Sequence, residues 1–203
     1  MKTKIRILGI LSAVVLLGVC FAFRPLEEKK IIVIDAGHGG KDLGADMYGF
    51  QEKLITETIA KKIKALNKDS NLEIVLLRDG DHEMELSERV SIINNLKPDL
   101  VVSLHISANM NMSANGARAF IPSNETFHEK SKESAVIVID KMTEAGNLKK
   151  RRITEAPFYM LKNASCPIMT LMIGFLSNEK DRDYITSEDG QNEIALNILE
   201  AVK

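Results

Sequence analysis

Apolar runs of strand length alternate along this chain with amphipathic stretches of helical period. IIVID at 31–35 and DLVVSLH at 99–105 are nearly continuous apolar runs, the pattern of strands buried on both faces. LEIVLLR at 72–78, GARAFI at 116–121 and IMTLMI at 168–173 read the same way, and a further short strand is predicted over 158–161. Between these runs, Ile55, Ile59, Ile63 and Leu66 form one apolar stripe at helical spacing over 52–66, and Leu86, Val90, Ile93 and Leu96 form another over 86–96. A third helix is predicted over 129–145, stopped at Gly146-Asn147, and a last amphipathic one over 191–202. Alternation of this kind predicts an α/β fold in three layers, a mixed twisted sheet of about six strands with helices on both faces. The 203 residues suffice for one domain with its own core and not for two. The chain shows no internal repeat, low-complexity tract or interdomain linker.

The N-terminus follows another logic. Lys2, Lys4 and Arg6 precede an uncharged apolar run over 7–23, with small residues Cys20 and Ala22 near its end. A basic start, a hydrophobic centre and a small-residue end predict a signal peptide over 1–23, with an uncleaved membrane anchor as the alternative. LGVC ends at Cys20 like a lipoprotein box, but Val19 stands where a small residue is wanted, which disfavours lipidation. Residues 24–30, polar and containing Pro25, form a tether, and the functional domain is 31–203. Each reading exports the domain, to a periplasmic or cell-envelope location. Under the anchor reading, residues 7–23 also associate it with the inner membrane. Cys166 is then the lone cysteine of the mature domain, expected to be inert core packing.

Charge excludes some partners. Lys+Arg number 27 and Asp+Glu 28, so nothing selects a polyanion, and no nucleic acid partner is expected. The densest basic run, Lys149-Lys150-Arg151-Arg152, is short and lacks an aromatic platform. Without any Trp, a carbohydrate-stacking module is disfavoured. The domain is expected to be monomeric.

In open α/β sheets, ligands bind beyond the carboxyl ends of strands. The first strand ends in Asp35-Ala36-Gly37-His38-Gly39-Gly40 and the third in Ser103-Leu104-His105, so two of only four histidines fall at equivalent strand ends. Neutral imidazole is a favoured zinc ligand, and a catalytic zinc takes three protein ligands with one position open. Glu52, opening the helix after Tyr48-Gly49-Phe50-Gln51, is the candidate third ligand, although an acid there also suits the helix dipole. His82 and His128 lie in charged stretches and are expected at the solvated surface. A zinc carboxypeptidase pattern, His and Glu three residues apart, is disfavoured because Lys41 follows His38 at that spacing, with Asp42 next.

IIVIDAGHGGKDLGA, GFQEK, DLVVSLHISAN, APFYMLKNASCPIMTLMIGFLSN and the final helix resemble, in that order, the zinc-dependent N-acetylmuramoyl-L-alanine amidases of the third amidase family, over about 31–203. The resemblance implies a peptidoglycan hydrolase that cuts the amide between the lactyl group of N-acetylmuramic acid and L-alanine. It implies Zn2+ held by His38, Glu52 and His105, and a catalytic glutamate at the end of the strand before the Gly-Phe-x-Ser-Asn turn. Here that position is Met172. A thioether is a weak acceptor with no exchangeable proton. Another acid substitutes, Glu155 and Glu179 being the candidates, or the domain is an impaired amidase that binds zinc and cell-wall stem peptides, or Met172 is an engineered or accidental replacement in an otherwise active enzyme. Arg152 is a candidate contact for stem-peptide carboxylates, with a solvated turn as the plain alternative. Some relatives carry a helical insertion over the zinc. With one ordinary helix between Ile121 and Phe158, an open site is expected.

Overall fold

The computed structural model describes residues 29–123 and 125–203, so the predicted signal or anchor and all of the tether but Lys29 and Lys30 lie outside the described residues. Among the described residues no helix is long and apolar enough to cross a membrane. The strands are β1 (Lys30–Ala36), β2 (Asp46–Met47), β3 (Phe50–Gln51), β4 (Leu72–Leu76), β5 (Leu100–Ser107), β6 (Ala117–Ile121), β7 (Lys150–Glu155) and β8 (Ile168–Phe175). The helices are α1 (Glu52–Leu66), α2 (Leu86–Leu96), α3 (Glu125–Thr143), α4 (Tyr159–Asn163), α5 (Glu179–Thr186) and α6 (Glu188–Val202).

Six strands form the central sheet in the order β4-β1-β5-β8-β6-β7, and β2 and β3 form a separate hairpin. The first four are parallel, β6 runs antiparallel to β8, and β7 runs parallel to β6. Apolar residues fill both faces of the central strands. Ile32, Ile34, Val102, Leu104, Leu171 and Ile173 pack on the side of α1, α3 and α6, whereas Val33, Val101 and Ile168 pack on the side of α2 and α4. The result is the three-layer α/β fold with a mixed sheet that the apolar pattern predicts.

Differences are local. The segment predicted as a strand over 158–161 is instead the short helix α4, with Met160 and Leu161 buried and Phe158 and Tyr159 half exposed. The basic run at 149–152 is not a turn, because Lys150, Arg151 and Arg152 belong to edge strand β7. Helix α3 starts four residues before its predicted position and α6 three, and α5 was not expected. His128 is half-buried rather than solvated, with Nδ1 2.9 Å from the Pro122 carbonyl. His82 is exposed. Cys166 is buried and free, and burial pushes its thiol up to about 11, consistent with inert packing.

The GFLSN turn has structural work of its own. Asn178 caps α5, its side chain accepting from the Asp181 amide at 3.1 Å, and its Nδ2 donates to the Met112 carbonyl at 2.8 Å. Asp181, 2 % exposed, accepts from the amides of Gly116 (2.7 Å) and Phe175 (3.0 Å), which fixes the end of β8 against the start of β6.

Candidate metal centre and cleft

Three ligand-type residues converge at the carboxyl edge of the sheet from three segments. His38 stands in the loop after β1, Glu52 opens α1, and His105 lies near the end of β5. One ligand atom from each lies within 4.8 Å of the other two. Glu52 is almost buried, its side chain 4 % exposed, while the imidazoles of His38 and His105 are 23 % and 24 % exposed and open towards solvent.

The local backbone builds this arrangement. His38 has φ +62°, in the left-handed region that non-glycine residues seldom occupy, so its flanking glycines let the chain reverse around it. The hairpin β2–β3 turns through Tyr48 and Gly49, both at positive φ, as a two-residue turn of the primed type requires. The hairpin feeds directly into α1, whose first amides are taken up by the loop: Glu52 N–H donates to Ala45 O at 2.8 Å and Lys53 N–H to Leu43 O at 3.3 Å. Glu52 is thereby held in a fixed aim. Its Oε1 accepts from the Ile106 amide at 2.8 Å and lies 2.9 Å from His105 Nδ1 and 3.1 Å from His38 Nε2. Its Oε2 accepts from the Ala45 amide at 2.8 Å.

Burial would raise the Glu52 carboxyl, but hydrogen bonds and charge from His105 and His38 outweigh it and hold the group down at about 2. Burial likewise opposes the charged form of His38, yet the carboxylates of Glu52 and Asp42 raise its pKa to about 9. Asp42 lies 2.7 Å from His38 Nδ1. Ionised carboxylates only accept, so here Nδ1 donates to Asp42 and Nε2 to Glu52, and loss of the Nε2 proton is what would free that nitrogen for a metal. Asp42 therefore orients a candidate ligand. The sequence offered a signal for it in the residue four after His38, which the carboxypeptidase comparison merely passed over.

A buried ion pair supports the same loop. Arg89 in α2 pairs with Asp35 at the end of β1 and donates to the carbonyls of Ala36 (2.9 Å) and His38 (2.6 Å). Ser103 Oγ donates to the other Asp35 oxygen at 2.6 Å. Neither charged partner showed in the apolar periodicity, since Arg89 reads as a polar helix position.

Gly44 marks how tightly the candidate ligands pack. A Cβ at that position would stand 2.5 Å from Glu52 Oε2 and 2.6 Å from His38 Cδ2, on a backbone with φ +65°. Gly44→Ala is expected to push both side chains aside and lower metal affinity by about 10- to 100-fold, the range seen when groups that orient ligands are lost. Metal titration of the two proteins checks this, and equal affinities would show that the loop yields without moving the ligands.

Beside the cluster a cleft of about 480 Å³ opens over the sheet edge, lined in part by His38, His105, Met172, Phe158 and Tyr159. Met172 on β8 is the register partner of His105 on β5, so the two side chains sit next to each other at this edge. The suggested replacement acids are elsewhere. Glu155 ends β7 beside His128, 3.8 Å from its Nδ1, and Glu179 is exposed at the start of α5; neither lines the cleft. Arg152 is exposed on β7, also outside the cleft. The acids that do line it are Asp35 and Asp42, both engaged as above, and Glu83 and Glu85 in the loop between β4 and α2. Nothing in the sequence pattern distinguished these last two from ordinary solvated acids. Helix α3 packs on α6 and the sheet and contributes nothing to the cleft lining, so the cluster is not covered by it.

An α/β sheet carrying a His-Glu-His cluster with an open side places this chain in the class of domains able to hold a catalytic metal. The family model for N-acetylmuramoyl-L-alanine amidase matches residues 32–203, and the chain belongs to that family. Among solved structures, the chain superposes on the catalytic domain of CwlV, an N-acetylmuramoyl-L-alanine amidase from Bacillus (Paenibacillus) polymyxa var. colistinus, with a TM-score of 0.78 and 32% identity over 85% of this chain and 96% of that one. It superposes on the N-acetylmuramoyl-L-alanine amidase of Clostridium difficile 630 with a TM-score of 0.81 and 29% identity over 86% and 95% of the two chains. The germination-specific N-acetylmuramoyl-L-alanine amidase of Bacillus subtilis is 25% identical over 88% of this chain and 80% of its own length. By family and fold the chain is an amidase of the cell wall.

Proposed function

We propose that this protein is an exported, zinc-dependent peptidoglycan amidase scaffold for the bond between N-acetylmuramic acid and L-alanine, in which Met172 removes the proton carrier and leaves cleavage slow. The observation that carries this reading is the pairing of Met172 with His105 at the mouth of an otherwise complete His38-Glu52-His105 cluster. The donor set fits zinc, which takes imidazole nitrogen and carboxylate oxygen in three-ligand sites with an open position. When bound, zinc supplies Lewis acidity, lowering the pKa of water to about 7 and polarising a carbonyl.

The chain's own residues account for the rest. Glu52 is fixed by two backbone amides, so it presents a carboxylate without reorganisation, and Asp42 keeps the His38 proton on Nδ1. Phe158 and Tyr159 offer an apolar wall for the substrate beside the cluster. Amide cleavage also needs a group that takes a proton from water and returns it to the departing amine. The Met172 thioether does neither, and Asp35, buried against Arg89 and Ser103, is not free to replace it. The alternative reading, a domain that binds zinc and stem peptides without useful cleavage, rests on the same side chain.

Elemental analysis and peptidoglycan cosedimentation of the unaltered protein beside Glu52→Gln test the scaffold. Stoichiometric zinc and wall binding are expected for the first. The loss of metal affinity in the variant should exceed the roughly 10- to 100-fold typical of losing a residue that merely orients a ligand. Zinc retained equally by both proteins would remove Glu52 from the ligand set.

A further inference from the structure

Met172 lines the cleft and also has a neighbour outside it. On its other side Met172 is the register partner of Arg118 on β6, and the register between β6 and β7 shifts there: Ala117 faces Lys150 and Ala119 faces Ile153, so two residues, Arg151 and Arg152, stand opposite the single Arg118. A bulge of this kind re-aims side chains at a sheet edge. Arg118, Arg151 and Arg152 line, with Lys149, a depression of about 450 Å³ adjoining β6 and β7.

These arginines are short of counter-charge. Arg118 lies 4.6 Å over the Phe120 ring, and its Nε is buried with no hydrogen-bond partner. Burial, and then the charge of Arg151, disfavour its cationic form. Arg151 lies 5.2 Å over Phe175 and donates to the Asn115 carbonyl at 3.3 Å. Among the described residues, neither Arg118 nor Arg152 has an ion pair, whereas the neighbouring Lys150 pairs with Asp140. A half-buried guanidinium with an orphan N–H beside two like charges is costly unless an anion completes it.

We propose that Arg118, with Arg152 beyond it, forms a carboxylate subsite that receives the stem peptide of the substrate on the far side of Met172 from the metal cluster. The proposal rests on the amidase reading above. Strand spacing of about 4.8 Å puts Arg118 about 10 Å from His105, and Arg152 one strand further. An extended peptide advances about 3.3 Å per residue, so a chain whose scissile amide sits at the cluster brings its second or third residue to Arg118. A guanidinium recognises a carboxylate through paired N–H donors, which selects the free acid over its amide.

The test measures binding rather than cleavage: calorimetric titration of the zinc-loaded full chain with a muramoyl tripeptide carrying free carboxylates, and with the same compound fully amidated. The free acid is expected to bind the unaltered chain at least about 10-fold more tightly than the amide, as hydrogen bonds to charged groups imply. Arg118→Gln should erase that preference, Arg152→Gln should reduce it, and Arg118→Lys should restore part of it, which a packing role alone does not explain. Equal binding of acid and amide by the unaltered chain, or a preference untouched by both glutamine variants, overturns the subsite while leaving the amidase reading in place. Failure of the unaltered, zinc-loaded chain to bind either compound overturns both.

Discussion

Zinc-loaded Met172→Glu protein is expected to release amino groups from peptidoglycan about 10²- to 10⁴-fold faster than the unaltered chain, the usual contribution of a positioned acid-base group. The geometry favours a gain at that site. Residue 172 is half-exposed in the cleft, so a carboxylate there remains solvated and carries no large burial cost. Its register partner is His105, which places the new group one strand away from the cluster. The surrounding strands are buried and hydrogen-bonded on both sides, so the backbone at 172 is not expected to move. Rates that differ by less than about threefold between the two proteins would show that Met172 is not what limits cleavage. The search for a working acid would then move to Glu83 and Glu85, which line the cleft, rather than to Glu155 or Glu179, which do not.

The second large effect is one of stability. Arg89→Met should cost about 3–5 kcal/mol, the range for removing one partner of a buried ion pair, read from urea unfolding. Asp35 is 1 % exposed, and without Arg89 it keeps only the Ser103 hydroxyl as a described hydrogen-bonding side chain. The carbonyls of Ala36 and His38 lose donors at the same time. A domain of this size has a total stability of only about 5–15 kcal/mol, so the variant approaches the limit of folding. Asp35→Asn combined with Arg89→Met removes the stranded charge and should recover a substantial part of the loss. Metal affinity should fall in the single variant as well, because His38 keeps its left-handed backbone partly through the Arg89 contact. A loss below about 1 kcal/mol would mean that water reaches Asp35 and that the pair is not a structural anchor.

The periodic elements were legible. Over 52–66 and 86–96 the apolar stripes predict the helices to the residue: Ile55, Ile59, Ile63, Val90 and Ile93 are buried, whereas Leu66 and Leu86, at the outer ends of the stripes, are exposed and do not face inward as expected. The elements that misled are those with little to bury. KRRITE on β7 is an edge strand with mostly exposed side chains, and its extended form comes from pairing with β6 rather than from its own pattern. YMLKN on α4 is too short for a helical period to show, and its two buried residues look the same in a strand reading.

For the site, the sequence alone determined the three ligand-type residues, because strand ends and helix starts are recurrent places for chemistry and His38, Glu52 and His105 occupy them. It also placed Met172 on a strand that reaches this edge, although β8 runs on to Phe175 instead of ending near 172–173 as expected. Only the tertiary structure decided what surrounds them. Strand register sets Met172 between His105 and Arg118, residues with no sequence relation to one another. Packing of α2 against the end of β1 delivers Arg89 to Asp35 and the His38 carbonyl. The physical reason is that burial follows local period and can be read along the chain, whereas charge pairing and side-chain adjacency are fixed by hydrogen bonds between distant strands, which no local pattern encodes.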